Sequence, residues 1–269
     1  MKSKMMSYPY NIWMLIFVLI PLGMVVYFAF TTPEGIFTFE NLSEIQSNVH
    51  IFVKSLLIAL ISTAVCLVIA YPFGYILSRQ SISMQKMMLM IIMIPMWMNF
   101  LLRIFAWMTI LGENGVLNNI LGVFGMRASI MNTQTAVIIG MVYNFLPFMI
   151  LPIYTVMTKI DRGIIHAAQD LGANTFKVFT KVIIPLSIPG VISGITMVFV
   201  PAASTFLVAK YLGGPADSSN MLIGDVIEQV FMTNNHTGSA LSLVLMVVIF
   251  IFIAVMNKFG NDDMEGTII

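Results

Sequence analysis

Six apolar runs, at about residues 11–30, 51–77, 87–111, 134–158, 190–211 and 239–257, dominate the chain. Each supplies the roughly 20 mostly apolar residues that a helix needs to cross the hydrocarbon core of a bilayer. A water-soluble domain of 269 residues would need charge over much of its surface, but the chain carries only 13 basic and 12 acidic side chains. Lipid is the expected solvent, and the expected fold is an all-α integral membrane protein with six transmembrane helices in a single domain over 1–269. The first run follows Lys2 and Lys4. It is longer than an ordinary signal-peptide core and ends in YFAFTTPEG without a small-x-small cleavage site, so it reads as a retained helix.

Charge in the connecting segments sets the expected orientation. Lys2, Lys4, Arg79, Lys86, Lys159, Arg162, Lys177, Lys181 and Lys258 fall on one side, with only Arg127 and Lys210 on the other. The basic side is expected to be cytoplasmic, with both termini there, in a multi-pass protein of the plasma or inner membrane. The opposite side holds Glu34, Glu40, Glu44, Glu113, Asp217, Asp225 and Glu228, a balance that draws cations rather than anions. A net charge of +1 argues against a nucleic-acid partner, which needs a dense basic face. The single cysteine, Cys66, sits in an apolar run, so it reads as a packing residue and no cysteine-rich metal site is expected. Pro21, Pro72, Pro95, Pro147, Pro152 and Pro201 lie inside the runs and predict bent helices, as a translocation path or ordinary membrane packing would use. GVISG, 190–194, is a small-xxx-small pattern for close helix approach.

Residues 160–187 are too polar for lipid. DRGIIHAAQDL predicts a helix with Asp161 as its cap and Ile164, Ile165, Ala168 and Leu171 at helical spacing. Gly172 supplies a turn, and ANTFKVFTKVII predicts a second helix ending at Pro185. Both are expected to lie outside the membrane, with Ala167, Ala168 and Ala173 keeping the turn thin.

This segment resembles the EAA motif of ABC importer permeases, in which Glu-Ala-Ala, three residues, Gly, nine residues and Ile-x-Leu-Pro form the helix that contacts an ATPase. Here His166-Ala167-Ala168 is followed by Gln169 to Leu171, Gly172, nine residues, and Val182-Ile183-Ile184-Pro185. The resemblance implies an ATPase-coupling set of His166, Ala167, Ala168, Asp170, Leu171, Gly172, Ala173 and Pro185. His166 departs from it, because an imidazole stands where the motif carries a fixed negative charge.

YPFGYILSR (71–79), IPMWMNFLLRIFAW (94–107), TAVIIGMVYNFLPFMILPIY (135–154), VPAASTFLVAKYLGG (200–214) and LIGDVI (222–227) are similar to the spermidine/putrescine (PotB-like) family of ABC importer permeases. The resemblance implies a type I importer fold and half of a translocation path for polyamines. It also implies a second homologous permease subunit, two copies of an ABC ATPase and an extracytoplasmic polyamine-binding protein. The chain has no G-x-x-x-x-G-K-[ST] phosphate loop, so it is expected to be no enzyme and to bind no cofactor; ATP and Mg2+ belong to the partner ATPase.

A polyamine path should offer aromatic faces or carboxylates for protonated amines and apolar walls for methylenes. Trp97, Asn99, Phe100, Tyr143 and Phe206 are the candidates, Trp97 either facing the cation or simply packing. Arg103, a charge inside a span, either pairs with a carboxylate or carbonyls at an outer gate or subunit interface, or snorkels. SSNMLIGDVIEQVF, 218–231, predicts a short amphipathic outer helix. Its Asp225 and Glu228 share a face that is either solvated or used for substrate or the binding protein. The alternatives are an importer for another solute, such as iron or thiamine, and a secondary transporter. No acid lies at the centre of a span, as ion coupling in such a transporter would call for.

Overall fold

A computed structural model describes residues 9, 12–214 and 219–265; Lys2, Lys4, Asp217 and Ser218 lie outside them. The elements are helical: α1 (Ile20–Ala29), α2 (Ser43–Ser78), α3 (Ile82–Trp97), α4 (Phe100–Leu111), α5 (Val116–Val123) and α6 (Gln134–Met157). There follow α7 (Arg162–Asp170), α8 (Thr175–Val178), α9 (Ile184–Ser204), α10 (Leu207–Leu212), α11 (Ile223–Thr233) and α12 (Asn235–Glu265). Among the described residues six helical stretches are long and apolar enough to cross a membrane: Ile12–Ala29, Glu40–Ser78, Phe100–Val123, Gln134–Met157, Thr175–Ser204 and Asn235–Phe259.

The core is built on α6, which packs against α2 and α9. Its buried residues include Ala136, Gly140 and Asn144 on one ridge and Val137, Met141, Phe145 and Met149 on the next. That four-residue spacing is a helical stripe facing its neighbours. Lipid tails are as apolar as leucine, so such a core is held by close packing and buried hydrogen bonds rather than by escape from water. GVISG has that packing role: a Cβ on Gly190 would come within 2.9 Å of the Pro152 carbonyl, and one on Gly194 within 2.7 Å of Met149 Sδ. Tyr71 and Ser187 tie α2 to α9 by a 2.8 Å hydroxyl pair, and Cys66 is buried in the same core.

Two expectations about helix ends need correction. The apolar run 87–111 is not one helix, because the chain is extended at Met98 and Asn99 between α3 and α4. Asn99 accepts a 2.8 Å hydrogen bond from the Leu101 N–H, a side-chain cap that starts a new helix where hydropathy alone shows no interruption. The second polar helix does not end at Pro185 either. After α8 the chain passes through a π turn, Phe179–Ile183, and straight into α9, with Pro185 in the first turn of that helix. Inside an α-helix the proline ring would strike the carbonyl four residues back. The Ile184 N–H instead reaches five residues back to the Phe179 carbonyl, which widens the turn ahead of the ring. The π turn Leu15–Leu19 stands in the same relation to Pro21, the Ile20 N–H bonding the Leu15 carbonyl.

The contacts sort the loops to two ends. At one, Tyr154 donates to Gln85 Oε1 at 2.8 Å beside Arg79, Lys86 and the polar segment around α7. At the other, the Ile223 N–H donates to Ser55 Oγ at 2.7 Å, Asn220 Nδ2 donates to the Asn132 carbonyl at 2.8 Å, and His236 Nδ1 lies 3.2 Å from the Phe28 carbonyl.

Candidate coupling loop and substrate path

The polar loop is a preorganised corner. Asp161 is extended and its Oδ1 accepts from the Gly163 N–H at 2.8 Å, which starts α7. At the other end Gly172 has φ +84°, the left-handed conformation that glycine adopts without steric cost. The Ala173 N–H reaches the Ala168 carbonyl at 3.0 Å and the Gly172 N–H reaches the Gln169 carbonyl at 2.8 Å. These two bonds make a Schellman cap. Asn174 then caps α8 by accepting from the Lys177 N–H at 2.8 Å.

The faces of α7 divide sharply. Ile165, Ala168 and Ala173 pack on the core, whereas His166, Ala167, Asp170, Leu171 and Gly172 are exposed. Leu171, expected on the apolar stripe with Ala168, is instead the C-cap residue and is 89% exposed. Phe176 of α8 is 73% exposed beside it in sequence. Pro185, also exposed, lies beyond the π turn rather than on this corner.

The path candidates fall in separate places. Trp97 is the last residue of α3 and 78% exposed. Asn99 is committed as the cap of α4. Phe100 lies under Arg103, whose guanidinium carbon is 5.4 Å from the ring centroid, and Tyr143 is the electrostatic neighbour of the same guanidinium. Tyr143 stacks edge-on with Trp107 at 5.4 Å. Arg103 is buried, makes no ion pair among the described residues, and its Nε has no hydrogen-bond partner there, so no gate carboxylate among the described residues pairs with it. Phe206 is the N-cap residue of α10, where the extended Thr205 separates α9 from α10, and α10 packs against α4.

Asp225 and Glu228 do not share a solvated face. Asp225 is only 3% exposed, in the first turn of α11, and its Oδ2 accepts from the Leu222 N–H at 2.9 Å. Burial, opposed by that hydrogen bond, pushes its carboxyl up to about 6. Lys54, which sequence reasoning passes over, is its cationic neighbour and donates to the carbonyls of Ser219 and Met221. A lysine near the start of an apolar run is the signal that could have found it. Glu228 is half-buried and paired with Lys210, Nζ to Oε1 2.8 Å and to Oε2 3.1 Å, and this bond holds the Lys210 ammonium above the usual lysine range. Phe206 and Glu228, far apart in the sequence, line one cavity of about 540 Å³ between α11 and α12.

Six apolar helical stretches among the described residues, three of them packed as a core, with a polar corner at one end, define a multi-pass helical membrane protein. Residues 70–259 match the family described as binding-protein-dependent transport system inner membrane component, and the chain belongs to that family. It is 38% identical to the spermidine/putrescine transport system permease protein PotB of Haemophilus influenzae, covering 94% of this chain and 93% of that one. It is 35% identical to the PotB of Escherichia coli K12, over 90% and 92% of the two chains. Among solved structures it is similar to a bacterial ABC transporter that imports the acidic polysaccharide alginate, with TM-score 0.77, 18% identity and coverage of 97% and 95%. The inward-facing MetNI methionine transporter follows with TM-score 0.61, 16% identity and coverage of 80% and 95%. At such identities the two structures speak for the fold alone.

Proposed function

We propose that the chain is one permease subunit of an ATP-driven importer of polyamines, with both termini in the cytoplasm and the α7 corner docked on an ATPase. The observation that carries the substrate is the 38% identity over nearly the whole chain to a spermidine/putrescine permease. An acid-rich outer side, which attracts cations, is in keeping with it. The remaining partners are a second homologous permease, a second ATPase copy and an extracytoplasmic polyamine-binding protein. ATP and Mg2+ act in the ATPase subunits, since this chain has no phosphate loop.

The geometry supports a mechanical role for the corner. Caps at Asp161 and Asn174 and the Schellman bonds at Gly172 leave few soft torsions between α7 and α8, so a push on Leu171 or Phe176 moves the corner as a unit. From α8 the helix is continuous through the π turn to Ser204, and α9 packs along α6. Displacement at the corner is thereby carried up α9 to the break at Thr205, beside the cavity that holds Phe206 and Glu228. The exposed apolar side chains of Leu171 and Phe176 are the contacts such a docking would bury.

The test is uptake of labelled spermidine and putrescine into vesicles containing this chain with its partner permease, ATPase and binding protein. ATP-dependent accumulation is expected, lost when this chain is omitted. Accumulation of a different solute with no polyamine uptake would overturn the substrate, and transport without the ATPase would overturn the class.

A further inference from the structure

The cavity between α11 and α12 has a donor and acceptor pattern that selects its ligand. Its polar groups are Glu228, Ser204 and Ser242. Ser204 Oγ donates to the Val200 carbonyl at 3.1 Å and Ser242 Oγ donates to the Gly238 carbonyl at 2.8 Å. With both hydroxyl protons used on their own helices, the two oxygens present lone pairs, so all three polar groups are acceptors. Phe206 and Phe231 add aromatic rings, and the remaining wall is aliphatic or methionine. Acceptors, an anionic carboxylate, aromatic faces and apolar walls together fit a protonated amine on a methylene chain. A volume of about 540 Å³ is ample for such a segment.

The carboxylate already holds an ammonium, that of Lys210 on α10. With the lysine side chain 44% and the glutamate side chain 27% exposed, the pair is weak enough to exchange. We propose that this cavity seats one ammonium and the adjoining methylenes of a linear polyamine, with Glu228 trading the Lys210 ammonium for that of the substrate. The proposal rests on the polyamine reading above. Lys210 then occupies the carboxylate while the subsite is empty and is released as the substrate arrives.

The experiment uses the assembled importer carrying Met232→Cys. Met232 lines the cavity and is 81% exposed, while the native Cys66 is buried and silent. Labelling rates are compared for a cationic aminoethyl methanethiosulfonate and its neutral methyl counterpart, with and without spermidine. The cationic reagent is expected to react faster, its advantage falling several-fold in Glu228→Gln and rising in Lys210→Met. Spermidine is expected to slow both reagents, but not in Glu228→Gln. A merely structural ion pair would move the two variants in the same direction, and that outcome, unchanged ratios, or an introduced thiol that does not react in the assembled importer would overturn the subsite. Wild-type importer that accumulates spermidine with these ratios flat would overturn the subsite alone. Opposite shifts in an importer that does not carry spermidine would overturn the polyamine reading and leave a cation subsite.

Discussion

Helices α7 and α11 are both short and amphipathic and lie at opposite ends of the molecule, but they spend their side chains in opposite ways. At the C-cap of α7 an apolar residue, Leu171, is turned to solvent, and the acid Asp170 is exposed. On α11 the apolar Ile223 is fully buried, its N–H donating to Ser55, and the acid Asp225 is buried with it, accepting from the Leu222 N–H with Lys54 as its cationic neighbour. Amphipathicity identifies a helix with two faces; it does not say which face meets the protein. Helix α7 keeps contact surface in reserve for a partner, whereas α11 is already part of the core.

The largest effect expected from that contrast is on Ile223. Ile223→Ala removes a fully buried side chain and should cost about 2–5 kcal/mol, lowering the thermal midpoint of the purified protein. The matching change at the corner, Leu171→Ala, should leave that midpoint within the effect of an ordinary surface change, about 0.5 kcal/mol, while ATP-driven uptake falls by tenfold or more. Equal losses of stability in the two variants would erase the distinction.

A second, smaller effect is a pH dependence confined to the α11 end. Burial raises the Asp225 carboxyl from 3.8 to about 6, so the folded state binds this proton more tightly than the unfolded state does. Stability from this group is therefore greatest at low pH and falls as pH rises from about 4 to about 6, by on the order of 3 kcal/mol in total. Asp225→Asn keeps an acceptor for the Leu222 N–H and removes the charge, so it should flatten that slope and raise the midpoint at neutral pH. The groups around it, Lys54, Lys210 and Glu228, remain in place in this variant. An unchanged slope would place the titration elsewhere.

The smallest expected effect is at His166. Its side chain is exposed on the corner, whose shape is set by Asp161, Gly172 and Asn174. His166→Glu, which restores the charge of the EAA motif, should leave uptake within about twofold, the scale of a surface change of a few tenths of a kcal/mol. A large loss would mean that the imidazole makes a contact of its own with the ATPase.

The contrast between α7 and α11 also explains what was legible in the sequence. The spans show in hydropathy because lipid imposes about 20 apolar residues on any crossing helix. The corner shows because its caps are local: Asp161, Gly172 and Asn174 act on backbone groups within two to five residues. The buried state of Asp225 was hidden because it depends on α2 packing there: Lys54 is its cationic neighbour and Ser55 accepts from the Ile223 N–H, both more than 160 positions earlier in the chain. The break at Asn99 was hidden by the apolar residues on both sides, although an asparagine four residues after Pro95 is a cap signal that hydropathy does not weigh. Continuation through Pro185 was missed because a π turn removes the clash on which the stop signal depends.

That π turn has a geometric consequence. It holds one residue more than the α turn it replaces, and one residue of α-helix corresponds to a rotation of about 100°. The five residues Phe179–Ile183 therefore set an angular phase between the corner and α9. Deleting one of them would rotate the whole upper helix about its own axis and carry Gly190 and Gly194 off the surface of α6. The linker should accept many changes of side chain but no change of length, because its residue count works as the timing between a gear and its shaft.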